Sequence, residues 1–137
     1  MTYFLDRDLG SKIFPSILQK AGIDVEIHVH HFIPDSPDEE WLPQVAARGW
    51  FVLSNDKGIL RGEVQRSAVM QSGVGLFILV GGHVKAEEIA KNFVNTYSVV
   101  EKFATENKRP FIAKIYRPSP KQLVAQGKPG RVELKLQ

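Results

Sequence analysis

Apolar residues along this chain switch between two spacings. Residues 2–5 (TYFL), 24–29 (DVEIHV), 50–54 (WFVLS), 73–80 (GVGLFILV) and 109–116 (RPFIAKIY) are short runs rich in β-branched and aromatic side chains. Such runs predict five strands, with 73–80 the most apolar and therefore central. Between them the spacing becomes helical. In SKIFPSILQKAG, Ile13, Ile17, Leu18 and Ala21 fall on one helix face and Gly22 provides a stop. Pro15 lies early enough in that run to be tolerated. In SPDEEWLPQVAARG, Ser36 is the expected N-cap, Pro37 the first helical residue, and Glu39 the partner of Ser36 in a capping box. Pro43 is expected to bend this helix and Gly49 to end it. Residues 62–71 form a further helix. Residues 85–107 form one long helix with Ile89, Phe93, Tyr97, Val100 and Phe103 along its buried stripe.

Strands alternating with helices predict an α/β fold in which a mostly parallel, five-stranded sheet is covered on both faces. The region after residue 117, RPSPKQLVAQGKPGRVELKLQ, is rich in Pro, Gly and Lys. A partly disordered basic tail is expected over 118–137, although RVELKL alternates well enough to add an edge strand. Composition narrows the chemistry. The 137 residues suffice for one domain with a core. The absence of cysteine excludes disulfides, thiolate metal sites and cysteine nucleophiles. No apolar run approaches the roughly 20 residues that cross a bilayer, and no leader pattern opens the sequence, so no membrane role and a cytoplasmic location are expected. A net charge of +3 permits an anionic partner without requiring one.

The candidate chemistry lies in the acids. In a parallel α/β sheet, ligands bind outside the carboxyl ends of the strands. Asp6 ends the first strand, Asp56 follows the third, and Asp38 opens the helix after the second, on the same face as Leu42 and Val45. Three carboxylates from distant parts of the chain thus point to one sheet edge. Clustered like charges need neutralising, and a hard divalent cation such as Mg²⁺ or Mn²⁺ does this with oxygen ligands while leaving room for phosphate. Each acid also has a plain structural reading: Asp38 complements a helix dipole, Asp56 makes an Asn-Asp turn, and Asp6 pairs with Arg7 or Lys57.

The stretches FLDRDLG and PDEEWLPQVAARGWFVLSNDKGI resemble the PIN-like ribonucleases, specifically the VapC-type toxins of toxin–antitoxin pairs; the likeness extends more loosely through FIAKIYR. The resemblance implies a three-layer α/β/α sandwich over residues 1–117 and metal-dependent hydrolysis of RNA by clustered acids. It assigns catalytic and metal-binding roles to Asp6, Asp38 and Asp56, and places Ser54 at a hydroxyl position in the turn. Within DEE, Asp38 is favoured because the capping box occupies Glu39 and Glu40 points elsewhere. The family often has a fourth acid after the fourth strand. Here VGGH provides none, so either Asp8 supplies the charge or the site holds one metal. Arg7, Lys57 and the basic residues Lys108, Arg109, Lys114, Arg117, Lys121, Lys128 and Arg131 are candidate RNA contacts. An antitoxin protein is the implied partner, and a homodimer is compatible with this reading.

Other readings fit the same residues. A receiver-like signalling domain would use Asp56 as phosphoacceptor, Asp6 and Asp8 as metal acids and Lys114 as its lysine. An inactive PIN-like interaction domain is a further alternative. In IHVHHF, His28 and His30 would share one strand face and, with His83, could bind zinc; His31 could instead border the acidic site. The glycines around residues 73–82 lack the Gly-Lys-Ser/Thr of a phosphate-binding loop, and Trp41 and Trp50 read as core.

Overall fold

Alternate residues of each strand enter opposite faces of one sheet, and the chain supplies helices to cover both. The computed structural model describes residues 1–81 and 85–137. Its elements in chain order are β1 (Thr2–Leu5), α1 (Ile13–Lys20), β2 (Asp24–Ile27), α2 (Asp38–Ala47), β3 (Phe51–Ser54), α3 (Gly58–Arg61), α4 (Glu63–Ser72), β4 (Gly75–Leu79), α5 (Ala86–Glu106), β5 (Phe111–Tyr116) and β6 (Arg131–Leu136). On one face Tyr3, Leu5, Leu53, Phe77, Leu79 and Phe111 pack against Phe14 and Leu18 of α1 and Ile89, Phe93 and Val100 of α5. On the other, Phe4, Val52, Leu76, Ile78 and Ile112 pack against Trp41, Leu42 and Val45 of α2, Ile59 of α3 and Val69 of α4. This is the expected α/β/α sandwich, its parity set by the two-residue strand period.

The strand order is β2-β1-β3-β4-β5-β6, with the first five parallel. The connection β1-α1-β2 moves to one side of β1, and the next returns across it to β3. Their diverging carboxyl ends leave a crevice between β1 and β3, the switch point where such sheets bind ligands.

The sheet has six strands rather than the five expected. Residues 131–136 pair antiparallel with β5, and a bulge opposite Ile112 and Ala113 reverses the parity of β6. Val132 therefore packs on the α1/α5 face and Leu136 on the α2/α4 face, although they are four residues apart. The approach to β6 is tied to α5. Asn92 Nδ2 donates to the Tyr116 carbonyl (3.3 Å), Thr96 Oγ1 to Asn92 Oδ1 (3.4 Å), and the Gly130 amide to Thr96 Oγ1 (2.8 Å). A Cβ at Gly130 would fall 1.7 Å from the Tyr116 oxygen, so only glycine fits there. Residues 131–136 thus continue the sheet beyond β5.

Two local expectations fail. Pro37, not Ser36, is the N-cap of α2, and no side chain caps that end. Ser36 is buried and its carbonyl accepts a hydrogen bond from Arg7, which holds it one residue short of a capping position. Pro43 lies within α2, which runs on to Ala47. In α1 the buried stripe is rotated by one residue: Phe14 and Leu18 face the sheet while Ile13 is exposed.

Candidate active site

The β1/β3 crevice opens into a cavity of about 510 Å³ lined by Asp6, Arg7, Asp8, Asp38, Asn55 and Asp56. Each side chain arrives by a simple route. Asp6 follows β1 directly, and its amide extends the sheet by donating to the Leu53 carbonyl of β3 (3.0 Å). Asp8 lies in the tight helical turn that Asp6 caps. Asp38 is the first residue of α2, and Asp56 stands two residues beyond β3. The structure therefore gathers Asp6, Asp38 and Asp56 together with Asp8, which the sequence offered only as an additional acid.

The acids differ in how they are held. Ser54 is fully buried at the floor, with its Oγ 3.2 Å from Asp6 Oδ2 and 3.3 Å from Asp8 Oδ2. A hydroxyl has one proton, so it serves one carboxylate at a time. Its lone pairs accept the Asp56 amide (3.1 Å). Asp6 Oδ1 accepts the Arg7 amide (2.7 Å) and Asp8 Oδ2 the Asn55 amide (3.0 Å). Asp56 Oδ1 accepts the Gly58 amide (2.8 Å), and Asp38 Oδ1 accepts Trp41 Nε1 (3.1 Å). Burial, followed by the charge of Asp8, pushes the Asp6 carboxyl up to about 6. Asp8 is exposed as a residue, but partial desolvation of its carboxyl end raises its pKa as well. Asp6 and Asp8 are thus a strained pair of like charges with too few donors.

Arg7 is the cation among them. Its Nη2 lies 3.3 Å from Asp38 Oδ1 and its Nε 3.9 Å from Asp6 Oδ1, while Nη1 donates to the carbonyls of Pro34 and Ser36. Its guanidinium pairs with Asp38 and fixes the loop before α2, while its side chain stays 37% exposed at the cavity. Lys57 is exposed at the start of α3 and outside the cavity wall. Glu39 lines a separate cavity with Glu63 and Val64. Asp38 is therefore the acid of DEE that faces the crevice, by helix direction and not because a capping box occupies Glu39.

The histidines are placed differently from the expectation. The chain leaves β2 at Ile27 and turns through His28–His30, so His28 and His30 share no strand face. His28 is buried and His30 exposed, which removes the zinc reading for that pair; His83 lies outside the described residues. His31 is not among the residues lining the cavity of the acids. Its Nε2 pairs with Glu26 (2.9 Å), its Nδ1 lies 3.2 Å from Arg48, and its ring meets Trp50 edge-on. Trp41 is core as expected, and also orients Asp38; Trp50 is only partly buried. Arg109 stacks on Phe51, at the amino ends of the strands and so at the edge opposite the acids.

The donors offered by the cavity are carboxylate and hydroxyl oxygens, the kind that hard divalent cations take. The undercompensated Asp6/Asp8 pair fits such a cation in charge and chemistry. Asp38 accepts Trp41 and faces Arg7, Asp56 accepts one amide and is otherwise open, and among the described residues no three His, Asp or Glu side chains stand close enough to enclose a metal. Arg7 bridging Asp6 and Asp38 is one physical reason.

The model of the PIN-like domain family matches residues 1–81, which span β1 to β4 and every acid of the cavity. The chain belongs to the PIN-like domain family. It is also 27% identical over 117 residues to "Putative ribonuclease VapC45" of Mycobacterium tuberculosis (strain ATCC 25618 / H37Rv), a match covering 82% of this chain and 84% of that protein. No solved structure matches. The PIN-like match ends just after β4, where VGGH carries no acid; Gly82 and His83 of that stretch lie outside the described residues. Among the described residues no helix is long and apolar enough to cross a membrane.

Proposed function

We propose that this PIN-like chain is a ribonuclease that hydrolyses RNA phosphodiester bonds with a divalent cation, Mg²⁺ or Mn²⁺, and acts as the toxin of a toxin–antitoxin pair. The observation that carries the reading is two carboxylates set against one buried hydroxyl, that of Ser54. Asp6 and Asp8 crowd one hydroxyl at the switch point, inside a cavity that Asp38 and Asp56 also line. A fold keeps so unfavourable a cluster where a positive ligand neutralises it. Asp6 and Asp8 would hold the cation, with Asp38 and Asp56 completing its surroundings. A divalent cation supplies charge against the phosphate and makes water a stronger acid.

The chain's own residues do the rest. Ser54 and the Asn55 amide fix the two inner carboxylates. Trp41 and Arg7 aim Asp38. Asp56, exposed at the rim, is placed to accept a proton from an attacking water. The family relationship and the relative's name support RNA as substrate and a separate antitoxin protein as partner. The strand order would also suit a receiver-like phosphoacceptor at Asp56. However, Lys114 lies within β5, opposite Ile78 and Glu133, and not at the strand's end.

The test is cleavage of a broad RNA panel by protein freed of any antitoxin. Cleavage should need Mg²⁺ or Mn²⁺ and stop with EDTA. Asp6→Ala, Asp38→Ala and Asp56→Ala should each lose it, while Glu39→Ala, outside the cavity, should keep it. Cleavage that persists in the triple aspartate variant, with contaminating nuclease excluded, would end this reading.

A further inference from the structure

Next to the acids lies a second cavity, of about 220 Å³, whose wall includes Asp6, Arg7, Gly10, His28, Val29 and Pro34. Because Asp6 and Arg7 line both cavities, the two are neighbours across a single pair of side chains. Beyond Asp6 and Arg7, the polar side chains on the second cavity's wall are those of Ser11 and His28, and the rest is apolar. His28 is 1% exposed, and neither ring nitrogen has a hydrogen-bond partner. Buried polar atoms are nearly always partnered, so an orphaned pair in a residue that lines a cavity requires explanation. The ring is not free to turn away: Phe4, Phe32 and Trp41 surround it, with Trp41 edge-on at 5.4 Å. Burial, followed by the charge of Arg7, lowers the pKa of His28, so the ring is neutral at physiological pH. A neutral imidazole offers one donor and one acceptor.

We propose that this cavity receives one nucleobase of the RNA strand, with His28 reading its edge, while the adjoining phosphate meets the acids; this rests on the ribonuclease reading. A base edge presents both donors and acceptors, matching what His28 lacks. A lysine or arginine side chain from a partner protein brings donors alone and would leave the imidazole N–H unpaired. The volume is smaller than the roughly 300–1,000 Å³ of pockets for larger ligands and suits one flat ring. Single-stranded RNA is commonly read in this way, by splayed bases held against apolar and aromatic walls.

The probes are the four free nucleosides, which carry no phosphate and so bind without any cleavage. Nuclear magnetic resonance of protein labelled at the histidine rings should show at least one nucleoside shifting His28 saturably, without moving His30. His28→Phe, which keeps a flat ring but no ring nitrogen, should weaken that nucleoside about tenfold, the loss of one buried hydrogen bond. Val29→Trp alters a residue that is 54% exposed, so it should fold normally while obstructing the cavity. In cleavage assays both variants should still cut RNA but lose nucleotide preference beside the cut. If no nucleoside moves His28, or if both variants keep wild-type preference, the base site is overturned and the orphaned nitrogens belong to an ordered water. A protein that cuts RNA without responding to nucleosides fails this inference alone. One that binds a nucleoside but cuts no RNA fails the ribonuclease reading instead.

Discussion

Asp6→Asn should stabilise the cation-free protein at neutral pH while removing the group proposed to bind the cation. Burial and then the charge of Asp8 push the Asp6 carboxyl up to about 6, from an ordinary aspartate value of 3.8. At about 1.4 kcal/mol per unit, ionised Asp6 costs the fold up to ~3 kcal/mol at pH 7. The side chain is 14% exposed, so solvent screening removes little of this. The sign follows from the raised pKa. Between about pH 4 and 6 the folded state holds more protons than the unfolded state, so the penalty grows as pH rises through that window. Asparagine has no charge, yet its oxygen can still accept the Arg7 amide. Some of the gain will be lost to imperfect bonding of its NH₂, leaving about 1–2 kcal/mol at pH 7. Urea unfolding of both proteins in EDTA, from pH 4 to 7.5, is the assay. Taking the difference between the two proteins removes most of the contributions of Asp8, which acts in the same direction, and His28, which acts in the opposite one. The stability difference should be near zero at pH 4 and favour Asp6→Asn increasingly up to pH 7. An Asp6→Asn protein less stable than wild type at pH 7, or a difference that does not vary with pH, would refute the account of a strained acid pair.

Arg7→Gln should lower stability by about 1–2 kcal/mol through loss of its bonds to Asp38 and the Pro34–Ser36 loop; by freeing Asp38 it should also tighten Mn²⁺ binding in calorimetric titration, and weaker binding would show that Arg7 helps to build the cation site. Removing residues 118–137 strips β6 from β5 and leaves the α5 anchor groups without Gly130; the shortened protein should be insoluble or unfolded by circular dichroism, and a soluble form with wild-type melting would make those residues a dispensable tail.

Much of this molecule follows from local pattern. A strand period of two and a helix period of 3.6 decide which side chains can share a face. The alternation of strands and helices was therefore legible, as was the central place of Gly75–Leu79 and the long buried stripe of α5. The positions of Asp6 and Asp56 were legible for the same reason: a strand's end is local, and parallel topology brings strand ends to one edge. What local pattern cannot carry is competition for a group from far along the chain. Ser36 and Glu39 look like a capping box until Arg7, twenty-nine residues before Ser36, takes the Ser36 carbonyl. That Arg7 pairs with Asp38 is hidden for the same reason. The alternation of residues 131–136 offered an edge strand, but their pairing with β5 depends on a bulge and on an anchor to α5, neither written in their own composition. His28 reads as half of a strand pair, and only the turn after Ile27 buries it beside the acids with its nitrogens unpaired. The acids' positions were a property of the sequence. Their neutralisation by Arg7, the sharing of Ser54 and the cavity beside them were decided only when the chain closed on itself, because each depends on distances between segments that propensity does not set.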